Sequence, residues 1–345
     1  MAEDLSLENM TTLCPSDVDD EQIEDVVSKV VPILFSLIGI TGLLGNALVV
    51  LVILSNPQMR STTNMLIINL AMADLLFVIF CVPFTAVDYM LSRWPFGDAW
   101  CKIVQYLIVV TVQASIYTLV LMSLDRFLCV VYPIASRSLR TERNALLAIL
   151  ILWFVILTIS IPVIFAHGVV EYEYKSEQLT ACKFIDNGLT FAAFHVIFFL
   201  SSYLIPLILI SGLYLRMLSR LWRTVVNGQM SAESHRGRKR VTRLVVVVVF
   251  AFASLWCPIQ MILVLKSVGL FHPCTHFEIG LQISSHILGY SSSCVNPLLY
   301  AFLSENFRKA FRKVVYCGKT GTRYSRHQPV PTKTTRSGST CPDII

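Results

Sequence analysis

Asp74 stands in "NLAMADLLFVIF", residues 69–80, a stretch otherwise greasy enough for a bilayer or a buried core. A carboxylate there is costly unless something occupies or satisfies it, which points to a hard cation or to a hydrogen-bonded, protonated acid. A second charged constellation, Asp125-Arg126, ends the apolar run "LVLMSLDRFLCVVYP". An acid beside a desolvated cation offers that cation a counter-ion. Pro258 and Pro297 lie inside further apolar runs, where each removes a backbone hydrogen bond and kinks a helix. No nucleophile–base constellation, metal triad or phosphate loop accompanies them, so the chain is not read as an enzyme.

The elements that must position these residues are long and uncharged. Runs without a charge cover 30–59, 103–124, 144–170, 187–215, 244–265 and 279–304, and a seventh covers 61–87 once Asp74 is admitted. Each can cross a hydrocarbon core about 30 Å thick, for which roughly 20 helical residues suffice. Composition agrees: 55% of the 345 residues are hydrophobic and 14% are charged. Strands of a membrane barrel would be about 10 residues long and alternate in polarity, whereas these runs are continuously apolar. The expected fold is an all-α membrane protein, a seven-transmembrane helix bundle.

Charge sets the orientation. Segments 55–64, 125–143, 216–243 and 304–345 hold 22 of the 28 basic residues and 5 of the 22 acids, which makes them cytoplasmic. The acidic N-terminal tail, 1–29, is then extracellular, and Asn9 in Asn9-Met10-Thr11 is a glycosylation candidate. The tail lacks a basic region followed by an apolar one, so the first span is expected to act as its own signal. The bundle is assigned to 30–303 and a short amphipathic cytoplasmic helix to 304–317, with Cys317 as a palmitoylation candidate. A disordered tail is assigned to 318–345. Cys101 and Cys182 both face the oxidising side and form the foremost disulfide pair, while Cys14 and Cys274 are a second candidate pair.

The spans carry placed motifs: "GNALVV" in the first, "NLAMADLL" in the second, "SLDRFLCVVYP" ending the third and Trp153 in the fourth. Pro206 and Tyr214 follow in the fifth, "FASLWCP" in the sixth and "NPLLY" in the seventh. In this order the set resembles the rhodopsin-like G-protein-coupled receptors over about residues 30–317. Two positions depart from the usual pattern: Asp125-Arg126-Phe127 replaces Asp-Arg-Tyr, and Leu255 precedes Trp256 where Cys is frequent.

The resemblance implies roles. Asn46, Asp74, Ser115, Ser292 and Asn296 meet midway through the bundle as a sodium pocket, so the only cofactor-like species expected is an allosteric sodium ion. Trp256 packs above that pocket. Ile116, Pro206 and Phe252 repack on activation, with Pro258, Pro297 and Tyr300 in the same switch. Asp125 holds Arg126 at rest; released, Arg126 meets Tyr214 and a heterotrimeric G protein, Gi/o by resemblance. Arrestin and a receptor kinase act at the tail, in a multi-pass plasma-membrane protein that contacts lipid and no nucleic acid.

The ligand follows from which residues are present. Amine receptors carry an aspartate in span three seven residues after the disulfide cysteine, where this chain has Ile108, and no lysine in 279–304 could hold retinal. An acidic outer face and a hairpin-like loop at 171–182 suit a positively charged peptide. Stretches such as "DYMLSRWPFGDAWCK" and "LWCPIQMILVLKS" resemble the galanin-receptor-like branch, and in detail the insect allatostatin A receptors, whose peptides end in Phe-Gly-Leu-amide. That resemblance turns Gln105, Gln260, His286 and Tyr290 toward a neutral amide and makes Ile108, Val109, Ile259 and Leu263 apolar walls, with His195 a further contact. Galanin-like or other peptide receptors of the branch are the alternative. A transporter is the rival class, but the chain shows no internal repeat and no relay of acids or histidines.

Overall fold

A computed structural model describes residues 20–57, 61–174, 177–185, 189–226 and 232–303. Expectations for Asn9, Cys14, Cys317, the 304–317 helix and the 318–345 tail lie outside these residues.

Seven long helical segments follow one another. They are Asp20–Leu54, Thr62–Phe80 continued by Val82–Met90, Gly97–Val131, Glu142–Ile159 continued by Pro162–Ala166, Leu189–Phe199 through Val226, Ala232–Ser267 and His276–Leu303. By length and composition six of them can cross a membrane among the described residues. The seventh runs for 28 residues, packs between the sixth and the first, and closes the bundle. Outward faces are apolar: Leu44, Phe154 and Phe250 are among the exposed side chains, as lipid contact requires.

Local chemistry sets the helix ends. Ser61 and Thr141 accept hydrogen bonds from the backbone N–H groups of Asn64 and Asn144, each at 3.2 Å, and so cap the second and fourth spans. Thr275 and Glu278 form a reciprocal capping box at the seventh: Thr275 Oγ1 accepts from the Glu278 N–H, and the Glu278 carboxylate accepts from the Thr275 N–H at 2.9 Å. Gly269, at φ +71°, ends the sixth in a left-handed turn that a side chain would strain. A π-turn over Leu200–Leu204 precedes Pro206, where the missing N–H already interrupts the regular ladder.

Between spans four and five, β1 (His167–Tyr174) and β2 (Glu177–Phe184) form an antiparallel hairpin, wider than the 171–182 expected. Cys182 on β2 is disulfide-bonded to Cys101 at the outer end of span three, with 5.5 Å between the Cα atoms. The Trp94 N–H donates to the Thr180 carbonyl at 2.7 Å and the Val169 N–H donates to Asp98 Oδ1 at 3.0 Å, fastening both strands over the bundle mouth.

Candidate functional site

At mid-depth the two oxygens of Asp74, buried on span two, accept from different helices. Ser115 Oγ on span three donates to Oδ1 at 2.7 Å, and Asn296 Nδ2 on span seven donates to Oδ2 at 2.9 Å. Ser292 and Trp256 line the same cavity, which measures about 30 Å³. That is room for one or two water-sized species and far too little for a peptide. A carboxylate, two serine hydroxyls and an amide oxygen form a hard oxygen set that fits sodium. Asn46 does not join it. Its Nδ2 donates to the carbonyls of Gly42 and Ser293, each at 2.9 Å, so it braces span one against the backbone of span seven. Gly45 approaches Pro297 so closely that a Cβ there would lie 3.1 Å from the ring.

Ile116 and Phe252 share the adjoining apolar core with Trp256, and Tyr203 stacks on Phe252 at 5.9 Å. Pro206, three residues after Tyr203, is buried, and Pro258 sits inside the sixth helix. The side chain of Tyr300 is outside the described residues.

Toward the outside, Glu278, Gln282, His286 and Tyr290 recur every four residues and so line one stripe of the seventh helix. The Tyr290 hydroxyl shares a 2.9 Å hydrogen bond with Thr85, and its ring sits edge-on to Phe35. His286 Nδ1 and the Tyr89 hydroxyl are 2.5 Å apart. Gln105 Nε2 reaches the Cys182 sulfur at 3.8 Å, while Ile108 packs beside that disulfide. Val109 is buried and Leu263 partly so.

Two expected pocket contacts also make contacts within the bundle. Ile259 packs on Gly289, where a Cβ would approach it to 3.2 Å, because the glycine lets spans six and seven meet. Gln260 is fully buried, with Nε2 donating to Ser202 Oγ at 2.8 Å and Oε1 without a hydrogen-bond partner. His195 is buried among Phe184, Phe191 and Phe194, and its Nδ1 pairs with the Phe191 carbonyl at 2.9 Å. His167 of β1 shares that aromatic cluster, and burial holds its imidazole below the usual range, so it is a neutral wall at physiological pH.

The opposite end of the bundle adds a partner for Asp125. Asp125 pairs with Arg140, whose Nε donates to Oδ1 at 2.8 Å, and Thr63 Oγ1 donates to Oδ2 at 2.7 Å. Arg140 thus reaches back from the loop after span three to the helix end that carries Arg126. Arg126 is buried and its charge reaches Tyr214, whose hydroxyl bonds Ser123 Oγ at 3.0 Å.

Comparison with known families decides the class: residues 45–300 match the family model described as 7 transmembrane receptor (rhodopsin family). The chain belongs to that family. Among relatives, the Allatostatin-A receptor of Bombyx mori is 62% identical over 328 residues, covering 94% of this chain and 91% of that protein. Galanin receptor type 2 of Mus musculus is 41% identical, covering 82% and 75% respectively. Galanin receptor type 1 of Rattus norvegicus is 39% identical, covering 86% and 84%.

This rhodopsin-family receptor also uses residues that the sequence reading did not single out. Arg140 and Thr63 hold Asp125. Asn69 joins three spans by accepting from Trp153 Nε1 at 2.8 Å and donating to Thr118 at 2.7 Å. Asn69 opens the quoted motif and was open to notice; the partners of Asp125 had no comparable signal, since one sequence does not show which loop returns to a helix end.

Proposed function

We propose that this receptor responds to an extracellular amidated peptide of the allatostatin A type, ending in Phe-Gly-Leu-amide, and passes that binding to a heterotrimeric G protein of the Gi/o class. The observation that carries the reading is 62% identity to the Bombyx mori Allatostatin-A receptor over 94% of the chain. The buried Oε1 of Gln260 supports it, since a lone acceptor suits the N–H of a neutral carboxamide better than it suits a carboxylate. In this reading Gln105, His195, His286 and Tyr290 border the ligand, the N-terminus is extracellular, and the receptor works at the plasma membrane. Sodium at Asp74 acts as an allosteric ligand, and the tail serves arrestin and a receptor kinase.

Galanin-type peptides are the second reading, favoured by 41% identity to a galanin receptor. One experiment tests both: guanine-nucleotide exchange in membranes holding the receptor and Gi, with a Phe-Gly-Leu-amide peptide, its free-acid form and galanin. The amidated peptide is expected to drive exchange at far lower concentration than the free acid. A response to galanin alone would transfer the assignment to the second reading.

A further inference from the structure

Lys266, in the last turn of span six, is half-buried and turns away from its own helix end. A lysine there ordinarily finds the final carbonyls of its helix. Here Nζ instead crosses to span seven and donates to Gln282 Oε1 at 3.0 Å. That acceptor is neutral, and among the described residues Lys266 has no ion pair.

The surroundings add positive charge. Lys183 of β2 brings a second ammonium group, its Nζ 4.9 Å above the Tyr172 ring. Asp88 on span two is exposed at the mouth. His195 and His286 each already have an Nδ1 hydrogen bond. Two ammonium groups from separate elements thus stand at the mouth, one held by a neutral amide and the other by an aromatic ring. Like charges so placed favour an arriving anion.

We infer that Lys266, steadied by Gln282, is a subsite for a carboxylate on the peptide ligand. The inference rests on the peptide-receptor reading and adds a position to it. Lys266 lies six residues beyond Gln260, about 9 Å along the helix. An extended peptide rises about 3.3 Å per residue, so a carboxamide seated at Gln260 brings the third residue before its terminal one to the level of Lys266. In a peptide ending Phe-Gly-Leu-amide, that is the residue just before Phe. The expected outer segments are acidic in sequence, yet this inner rim selects the opposite sign.

The test uses the full-length receptor in nanodiscs with two near-isosteric peptides, Tyr-Asp-Phe-Gly-Leu-amide and Tyr-Asn-Phe-Gly-Leu-amide. The Asp peptide is expected to bind about tenfold more tightly, a size set by one charge-assisted hydrogen bond. Lys266→Gln removes the difference, Lys266→Arg keeps it, and Lys266→Glu reverses it in favour of a Lys-containing analogue. Equal wild-type affinities for the two peptides, or equal losses for both in Lys266→Gln, overturn the subsite while leaving the peptide-receptor reading in place. Wild-type receptor at full surface density that binds neither peptide overturns that reading, and the subsite with it. Ligand-independent surface density and thermal stability of each variant separate misfolding from lost recognition, and the wild-type comparison decides without any variant.

Discussion

Arg140, in the loop after span three, closes an ion pair with Asp125 at 2.8 Å, and the two side chains are only 12% and 5% exposed. Asp125 sits beside Arg126, so Arg140 ties the loop after span three to the helix end where, in the proposed function, a G protein enters. Arg140→Ala leaves the buried carboxylate with Thr63, at a cost of about 1–3 kcal/mol. The expected outcome is a lower unfolding midpoint and basal nucleotide exchange raised several-fold, with peptide affinity within about twofold. Unchanged basal exchange would show that the pair is structural alone.

Arg126 makes a sharper separation. Arg126→Ala is expected to keep folding and peptide binding and to lose nucleotide exchange, whereas the loop residue Arg137, mutated alone, changes coupling only modestly. Peptide affinity and exchange rate measured on the same nanodisc sample check this, and normal exchange in the Arg126 variant would sink the mechanism.

Cys101 and Cys182 supply a test of non-additivity. Each single change to Ser removes the same bond between span three and β2, so the double variant is expected to express and bind no worse than either single one. Losses that add would mean that each thiol acts separately.

How far these relationships could be read in the sequence depends on their range. Helices were legible because long uncharged runs have one stable solution in a bilayer, and the cysteine pair was legible because both residues face the oxidising side. Direction within a helix was less so. Asp125 also pairs with Arg140, fifteen residues further on, a partner that its sequence neighbours do not suggest. Asn46 was placed at the right depth yet turns to the carbonyls of Gly42 and Ser293, since nothing in a single sequence distinguishes facing a carboxylate from bracing a neighbouring backbone. Nor does one sequence show that Ser202, on the π-turn, accepts from Gln260 Nε2 or that Gly289 receives Ile259.

At Asp74 the charge itself can be tested. Asp74→Asn preserves a polar group for Ser115 and removes the negative charge that a cation needs. In wild type, raising sodium at constant ionic strength is expected to lower agonist affinity. In the variant, agonist affinity should stay within a few-fold of wild type and become indifferent to sodium. A sodium effect that survives would place the ion elsewhere.

Gln260 connects ligand chemistry to the core. Its Nε2 is committed to Ser202, so any ligand donor it accepts must meet Oε1. Gln260→Leu removes both atoms while nearly conserving volume, and Ser202 keeps its own bond to the Phe198 carbonyl at 2.6 Å. The fold should therefore tolerate the change. What should be lost is discrimination: wild type prefers the carboxamide over the free acid, and the variant is expected to bind the amide about tenfold more weakly, consistent with one buried hydrogen bond, while its affinity for the acid changes little. Competition binding with the two peptide forms on both receptors measures the preference directly. An undiminished preference in Gln260→Leu would move amide recognition to another side chain, with Gln105 and His286 the next to be replaced.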